Sequence, residues 1–150
     1  MTTEVTSQRL FIPMAHPQAK QRARTVTTKA GLHMSYTPAE TRNAEKYIRD
    51  SWIAAFGPKP RWERNVALYL LICVYLVRPP SIPKRRLFPT VKPDSDNFLK
   101  LVQDSLNGFA WYDDAQITHP DIKKRYVRPE CGDDSGGVPG VLLYLCEDEL

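Results

Sequence analysis

The chain has 150 residues, 42% of them hydrophobic and 25% charged, and its formal net charge at neutral pH is +4. This length suits a single domain over residues 1–150 with a buried core, and the composition excludes wholesale disorder. The longest apolar run, Val66 to Val77, has 12 residues, which is too short to cross a bilayer. Because the N-terminus also lacks the apolar core of a signal peptide, we expect a cytoplasmic protein.

The first third of the chain predicts a strand, a surface arm and a helix. The apolar run at 10–14 predicts a strand ended by prolines, and the polar, basic segment at 18–38 predicts a loop or hairpin over the surface that could contact DNA. Residues 37–56 predict a helix with Thr37 as N-cap, Pro38 at its first position and Gly57 as its stop. Apolar residues at spacings of three and four predict its buried face: Ala44, Tyr47, Ile48, Trp52 and Ala55.

The middle of the chain predicts a central strand and a long irregular connection. The continuous apolar run Val66 to Val77 is typical of a strand buried on both faces in the middle of a sheet. Residues 78–93 contain five prolines and five basic residues, which exclude a regular helix or a central strand. A long connection of this kind is more often functional than a short turn.

The last third predicts a second helix and two strands. Ser95 to Leu106 predicts an amphipathic helix that ends at Asn107 and Gly108. Residues 115–127 predict a strand broken near His119 and Pro120, and residues 141–146 predict the last strand. The element order predicts an α+β fold, a mixed β-sheet with two main helices packed against it.

Cysteine and histidine residues form no recognisable ligand set. The cysteines lack the paired short spacings of a zinc site, and we interpret them as reduced thiols. The histidines are scattered through polar segments and are interpreted as surface residues. These residues are Cys73, Cys131, Cys146, His16, His33 and His119.

Aspartates gather around the second helix although the protein is basic overall. Asp94 and Asp96 lie at the helix entrance, and Asp113 and Asp114 lie just before the next strand. Helix capping accounts for one or two of these acids. A strand running back past the helix would return Asp113 or Asp114 to the entrance, where the carboxylates would repel one another unless a cation held them.

Oxygen ligands of this kind select Mg²⁺ or Mn²⁺, and such an ion supports hydrolysis of a phosphodiester. Lys100, one turn beyond Asp96, would stabilise the charge that develops on the phosphate. A calcium loop is excluded because Phe98 and Leu99 break its pattern. The alternative is a capped helix with a solvated acidic face.

The segment KPDSDNFLKLVQDSLNG, followed by WYDDAQI and the pair Lys123 and Lys124, resembles the RusA family of Holliday junction resolvases. In that family the pattern is roughly D-x-D-N-x-x-K, then D-[AS]-L-[NT], then D-D-x-Q-[IV]. Every element is present here in order. The likeness is dense from Lys92 to Lys124 and looser elsewhere, although PQAKQRAR and the YTP before the first helix are also similar to phage and prophage members.

The resemblance implies a RusA-like fold and a Mg²⁺-dependent homodimeric endonuclease, with Mn²⁺ as a substitute, that nicks four-way DNA junctions symmetrically. It implies that Asp94, Asp96 and Asp114 are the metal and catalytic carboxylates, that Asp113 is a close second to Asp114, and that Lys100 is the catalytic lysine. Asn97 and Asp104 match family positions that we interpret as supporting the helix and the metal site.

Basic residues would contact phosphates by position rather than by sequence. The expected DNA-binding residues are Lys20, Arg22, Arg24, Lys84, Arg85, Arg86, Lys123 and Lys124. Phe88, Trp111 or Tyr112 could wedge against unstacked bases, although a place in the core is the better interpretation of any single aromatic residue. The alternative functions are a branched-DNA-binding module that does not cleave, and a nuclease for flap or other branched DNA.

Overall fold

The structure is a computed structural model that describes residues 6–21, 24–36, 38–128 and 135–150. It confirms the predicted α+β fold, with a four-stranded sheet, a separate two-stranded hairpin and two long helices. The strands are β1 (Ser7–Pro13), β2 (Arg24–Thr27), β3 (His33–Tyr36), β4 (Leu68–Leu76), β5 (Ile117–Tyr126) and β6 (Gly140–Glu147). The helices are α1 (Ala39–Phe56) and α2 (Ser95–Leu106).

The large sheet has the strand order β1-β6-β4-β5 and is mixed. β6 runs antiparallel to both β1 and β4, whereas β4 and β5 are parallel. A parallel pair needs a crossover connection, and the chain makes it through residues 77–116, which include α2. The interior place of β4 confirms the prediction for the run from Val66 to Val77.

Both helices pack on one face of this sheet. Alternate residues of β4, among them Leu70 and Ile72, join the core formed with Trp52 of α1 and Phe98 of α2. On the opposite face Tyr75 packs in a smaller cluster with Cys73 and Leu142. Because side chains alternate between the two faces of a strand, this arrangement explains why β4 is apolar without interruption.

Helix α1 begins one residue later than predicted. Pro38 occupies the N-cap, where its ψ of 146° is extended, and not the first helical position; Thr37, the predicted N-cap, lies outside the described residues. The buried face includes Thr41, Ala44, Ile48 and Trp52. Tyr47 and Ala55, predicted to be buried, are exposed: the Tyr47 hydroxyl donates to the Pro13 carbonyl at the rim of the core, and Ala55 lies in the last turn.

Strand β5 is continuous through His119 and Pro120, so the predicted break is wrong. Proline is tolerated there because β5 is the edge strand of the sheet. The irregularity takes the form of a register shift opposite Leu68 and Tyr69. A short 3₁₀ turn, Asp114–Gln116, leads into the strand.

Two smaller expectations concern the cysteines and the membrane. Neither Cys73 nor Cys146 forms a disulfide with another described residue, in line with the predicted reduced thiols, and Cys131 lies outside the described residues. Within the described ranges, neither helix has the length and apolar character needed to traverse a bilayer.

Candidate functional site

The entrance of α2 presents two solvent-exposed carboxylates. Asp94 is the N-cap residue in extended conformation, but its side chain makes no capping hydrogen bond, and Asp96 follows in the first turn. No ion pair or side-chain hydrogen bond to another described residue engages either carboxylate. Capping therefore does not explain Asp94, and both carboxylates are available to bind a cation.

Lys124 of β5 holds the segment that leads into this entrance. Its ammonium group donates to the carbonyl oxygens of Val91, at 2.8 Å, and of Pro93, at 2.7 Å. Because Pro93 directly precedes Asp94, these two bonds restrict where the Asp94 carboxylate can lie. Lys124 thus acts by positioning this backbone.

Two grooves meet at Asp94. One, of about 670 Å³, runs between the proline-rich connection and β5, and Lys123, Lys124 and Arg125 line its strand side. The other, of about 610 Å³, runs between the chain at 17–21 and the start of α2. Lys92 and Asp94 line both grooves. The acidic entrance of α2 therefore adjoins a groove whose strand side is basic, the charge pattern expected where a polyanion meets a bound cation.

The polar stripe of α2 leads away from the entrance. Lys100 lies one turn after Asp96, is exposed, and makes no ion pair with a described residue. One further turn along, Asp104 pairs with Lys20 at 3.0 Å. The predicted buried side of the helix is confirmed, with Phe98, Leu101, Val102 and Leu106 in the core.

Asp113 and Asp114 belong to a hydrogen-bonded turn beyond the other end of α2. The Asp113 carboxylate accepts from the Ala115 backbone amide at 2.9 Å and forms a capping box with Gln116. The Asp114 carboxylate accepts from the indole nitrogen of Trp111 at 2.7 Å. The Gln116 amide donates to the carbonyl of Val66, which ties this turn to the beginning of β4.

The environment of Asp114 disfavours its charge. Burial raises the pKa of this carboxyl above its ordinary value; the Trp111 hydrogen bond opposes the shift, and the carboxylates of Asp104 and Asp113 add to it. The neighbouring charges thus come from the far end of α2 and from the adjacent residue.

The structure does not bring the four carboxylates together within one chain. Helix α2 has 12 residues and is therefore about 18 Å long, with Asp94 and Asp96 at its start and Asp113 and Asp114 beyond its end. Among the described residues, no group of three or more acidic, histidine or cysteine side chains could hold a metal ion. The predicted return to the helix entrance is wrong. Asp113 and Asp114 lie before the start of β5, and the strand brings a later residue, Lys124, to the segment before Asp94.

Asp94 and Asp96 nevertheless fit a magnesium ion by themselves. Mg²⁺ is commonly bound through one or two carboxylates and completes its octahedron with water and substrate phosphate. Two exposed carboxylates at a helix entrance, with open grooves on both sides, meet that requirement.

Only part of the predicted DNA-binding set presents a free positive charge. Lys84, Arg85, Arg86 and Lys123 are exposed, Arg24 begins β2, and Arg22 lies outside the described residues. Lys124 is occupied by backbone carbonyls. Lys20 is 21% exposed and pairs with Glu45 at 2.6 Å as well as with Asp104, so its charge is already neutralised.

Lys20 is therefore a structural residue joining α1 to α2. Burial alone would lower the pKa of Lys20, but hydrogen bonds to Glu45 and Asp104 outweigh it and raise the pKa. We expect Lys20→Met to lower the free energy of unfolding by about 1–2 kcal/mol in urea titrations, less than for a fully buried pair because Asp104 remains partly hydrated. The control is Lys46→Met, whose partner Asp50 is exposed; equal losses in the two variants would contradict this role.

The negative charge of Asp114 should lower the free energy of unfolding at neutral pH. The pKa of Asp114 is raised in the folded state above its ordinary value of 3.8. The protonated carboxyl therefore contributes stability below pH 3.8, and this contribution is lost as the pH rises through the raised pKa. Asp114→Asn keeps an oxygen for Trp111 and removes the charge. We therefore expect the variant to melt at a higher temperature than the wild type at pH 7, and the difference to vanish below pH 3.8. A variant that melts lower at pH 7 would refute this.

The aromatic residues considered as wedges have different environments. Trp111 is completely buried in the core. Arg64 stacks on Tyr112, and Arg125 stacks on Phe88, which is 54% exposed beside the larger groove.

Sequence reasoning missed the roles of Gln116 and Lys124. The signal for Gln116 was present, since Gln three residues after Asp113 is the spacing of a capping box. The bonds from Lys124 to Val91 and Pro93 cross more than 30 residues, a separation over which no local pattern predicts a contact.

Comparison with known proteins shows the family to which the chain belongs. A model of the family "Endodeoxyribonuclease RusA" matches residues 14–131. A curated relative from Bacillus subtilis (strain 168), "Uncharacterized protein YqaN", is 27% identical over 126 residues, which cover 77% of this chain and 86% of the relative. The family match spans the entrance of α2, the lysine at position 100 and the Asp113–Asp114 turn, and on this basis the chain belongs to the RusA family of endodeoxyribonucleases.

Proposed function

We propose that the protein is a Mg²⁺-dependent, structure-selective endodeoxyribonuclease that resolves four-way junctions by paired symmetric nicks. The observation that carries this proposal is the pair of exposed, unengaged carboxylates, Asp94 and Asp96, where a groove with a basic strand side meets a second groove. The charge arrangement suits a polyanion held next to a divalent cation.

We assign different roles in phosphodiester hydrolysis to the residues around this site. Asp94 and Asp96 would hold Mg²⁺, which when bound lowers the pKa of water and neutralises charge on phosphate oxygens. Lys100 lies one turn from Asp96 on the same helix and would donate to the phosphate or the leaving oxygen. Lys123 and Lys92 would hold the strand in the grooves by contacts to its phosphates.

The proposed partner is a second copy of the chain. A four-way junction has approximate two-fold symmetry, so a C₂ dimer would place identical sites against two opposed strands. Cleavage at both sites then resolves the junction into two duplexes, whereas one nick would not.

The dimer would also explain the position of Asp114. If Asp94, Asp96 and Asp114 act on one phosphate, as the family resemblance implies, the length of α2 prevents one chain from supplying all three. We therefore propose that Asp114 of one copy completes the site formed by Asp94 and Asp96 of the other.

Mixing two inactive variants tests this shared site. In dimers of Asp94→Asn with Asp114→Asn, one site would carry both changes and the other none, so random exchange should restore about one quarter of the nicking sites. Nicking of a plasmid-borne cruciform measures the recovery. No recovery, in a mixture whose subunit exchange is demonstrated by affinity tags, would mean that each chain forms its own site.

Cleavage of synthetic DNA tests the function itself. The expected result is paired nicking of a mobile four-way junction in Mg²⁺, none in EDTA, and much slower cutting of flaps and linear duplex. Binding without nicks in any divalent ion would instead identify a branched-DNA-binding module. Equal rates on flaps and junctions would identify a broader branch nuclease.

A further inference from the structure

Among the described residues, the β2–β3 hairpin forms a sheet of its own and shares no backbone pairing with the main sheet. The turn closes through hydrogen bonds from Gly31 to Thr28, at 2.9 Å, and from Thr28 to Leu32, at 2.8 Å, with Gly31 at a φ of 79° that favours glycine. The described side chains from residue 25 to residue 35 are exposed, apart from the half-buried Thr28. This part of the chain is an arm.

The two faces of the arm differ in chemistry. On one face the hydroxyl of Thr25 meets that of Ser35 at 3.4 Å, and the hydroxyl of Thr27 meets His33 Nδ1 at 3.2 Å. The other face is apolar: Val26 pairs with Met34 across the strands, and Leu32 lies two residues before Met34. These three side chains, the apolar face of the arm, are 46%, 56% and 64% exposed in the order Val26, Met34 and Leu32.

The arm is attached beside the candidate site. The Lys20 amide donates to the Asn97 carbonyl in the first turn of α2 at 3.0 Å, and the Gln21 amide donates to the Thr41 hydroxyl of α1 at 3.3 Å. Lys20 and Gln21 also line the smaller groove that contains Asp94. The arm therefore begins three residues after Gln21, a residue of the groove proposed to hold DNA.

The charge of the arm indicates what covers its apolar face. Residues 24–36 include Arg24 and Lys29 and contain no acid. A positively charged arm is attracted to phosphates, while leucine, methionine and similar side chains insert against base faces when a duplex is opened. Unstacked bases, which lie between anionic phosphates, provide both features.

We infer that the β2–β3 arm is a wedge whose apolar face, Val26, Leu32 and Met34, packs against unstacked bases at the branch point of the DNA cut at the neighbouring site. This inference rests on the proposed function, since it requires a branched-DNA substrate. It assigns recognition of the branch to the arm and chemistry to the entrance of α2.

Fluorescence of 2-aminopurine at the branch point tests the wedge without any cleavage. Binding of wild-type protein in the absence of divalent ions should raise the emission severalfold, because the reporter base leaves its stack. Leu32→Ser with Met34→Ser should remove this rise and reduce the preference for junction over duplex by about tenfold. Thr25→Ser with Thr27→Ser, on the polar face of the same strands, should behave as wild type.

Each outcome decides the matter. If wild-type protein cuts junctions but the Leu32/Met34 variant gives an unchanged rise in emission, the wedge is refuted and the proposed function stands. If that variant changes the sedimentation of the free protein from dimer to monomer, the apolar face is a self-association surface and the inference is overturned. If wild-type protein neither binds nor cuts branched DNA, the proposed function and the wedge are both refuted.

Discussion

Asp94→Asn protein should still bind four-way junctions but cleave them at least about 100-fold more slowly than wild type in Mg²⁺. The amide keeps the size of the side chain and removes the charge that a divalent cation requires. Because the Asp94 side chain makes no capping hydrogen bond, the substitution should leave the fold unchanged. Single-turnover cleavage and a gel shift in EDTA measure the two properties separately.

The matched control is Asp50→Asn, which removes an exposed carboxylate from α1 and leaves α2 intact. It should cleave at the wild-type rate. Asp96→Asn should reproduce the loss seen with Asp94→Asn, since both carboxylates are assigned to one cation. Wild-type rates for Asp94→Asn across Mg²⁺ concentrations would show that this residue binds no essential ion.

Trp111→Ala should lower the free energy of unfolding by about 3–5 kcal/mol, the usual cost of emptying a large aromatic site in a core. Trp111 is completely buried, and its indole nitrogen is the hydrogen-bond donor to Asp114. The substitution therefore opens a cavity. It also removes the Trp111 hydrogen bond, which stabilises the charged form of Asp114; the other groups that shift the pKa of this carboxyl raise it. Urea denaturation monitored by circular dichroism measures the loss.

Trp111→Phe separates these two contributions. Phenylalanine fills much of the space but cannot donate to Asp114, so we expect a smaller loss of about 1–3 kcal/mol from the missing hydrogen bond and the residual cavity. Adding Asp114→Asn to Trp111→Phe should recover part of that loss, because no charge is then left without its donor. Equal losses for the Ala and Phe variants would show that packing around Trp111 contributes little.

The two ends of α2 have different relations between stability and activity. At its entrance, the Asp94 and Asp96 side chains are exposed to solvent. Beyond its end, Asp114 is partly buried and has a raised pKa, so its charge costs stability. Retaining such a carboxylate is typical of functional sites, where activity is kept at the expense of stability.

Much of the fold could be predicted from local patterns. The apolar run from Val66 to Val77 predicted the interior strand, and the spacing of Phe98, Leu101 and Leu106 predicted the buried side of α2. These predictions succeed because burial repeats with the period of the local backbone. The exact start of α1 was not predictable, since proline is compatible with both the N-cap and the first helical position.

The sequence by itself determined the family and the candidate site residues: carboxylates at 94, 96, 113 and 114, a lysine at 100 and their RusA pattern are all readable from side-chain type and spacing. Only the tertiary structure decided which of them meet. It separated the two aspartate pairs by the length of α2, engaged Lys20 between Glu45 and Asp104, and placed Lys124 under the segment before Asp94. The physical reason is that the spacing of residues along the chain sets the face of a helix or strand on which each side chain lies. Distances between side chains on different elements depend instead on how the whole core packs.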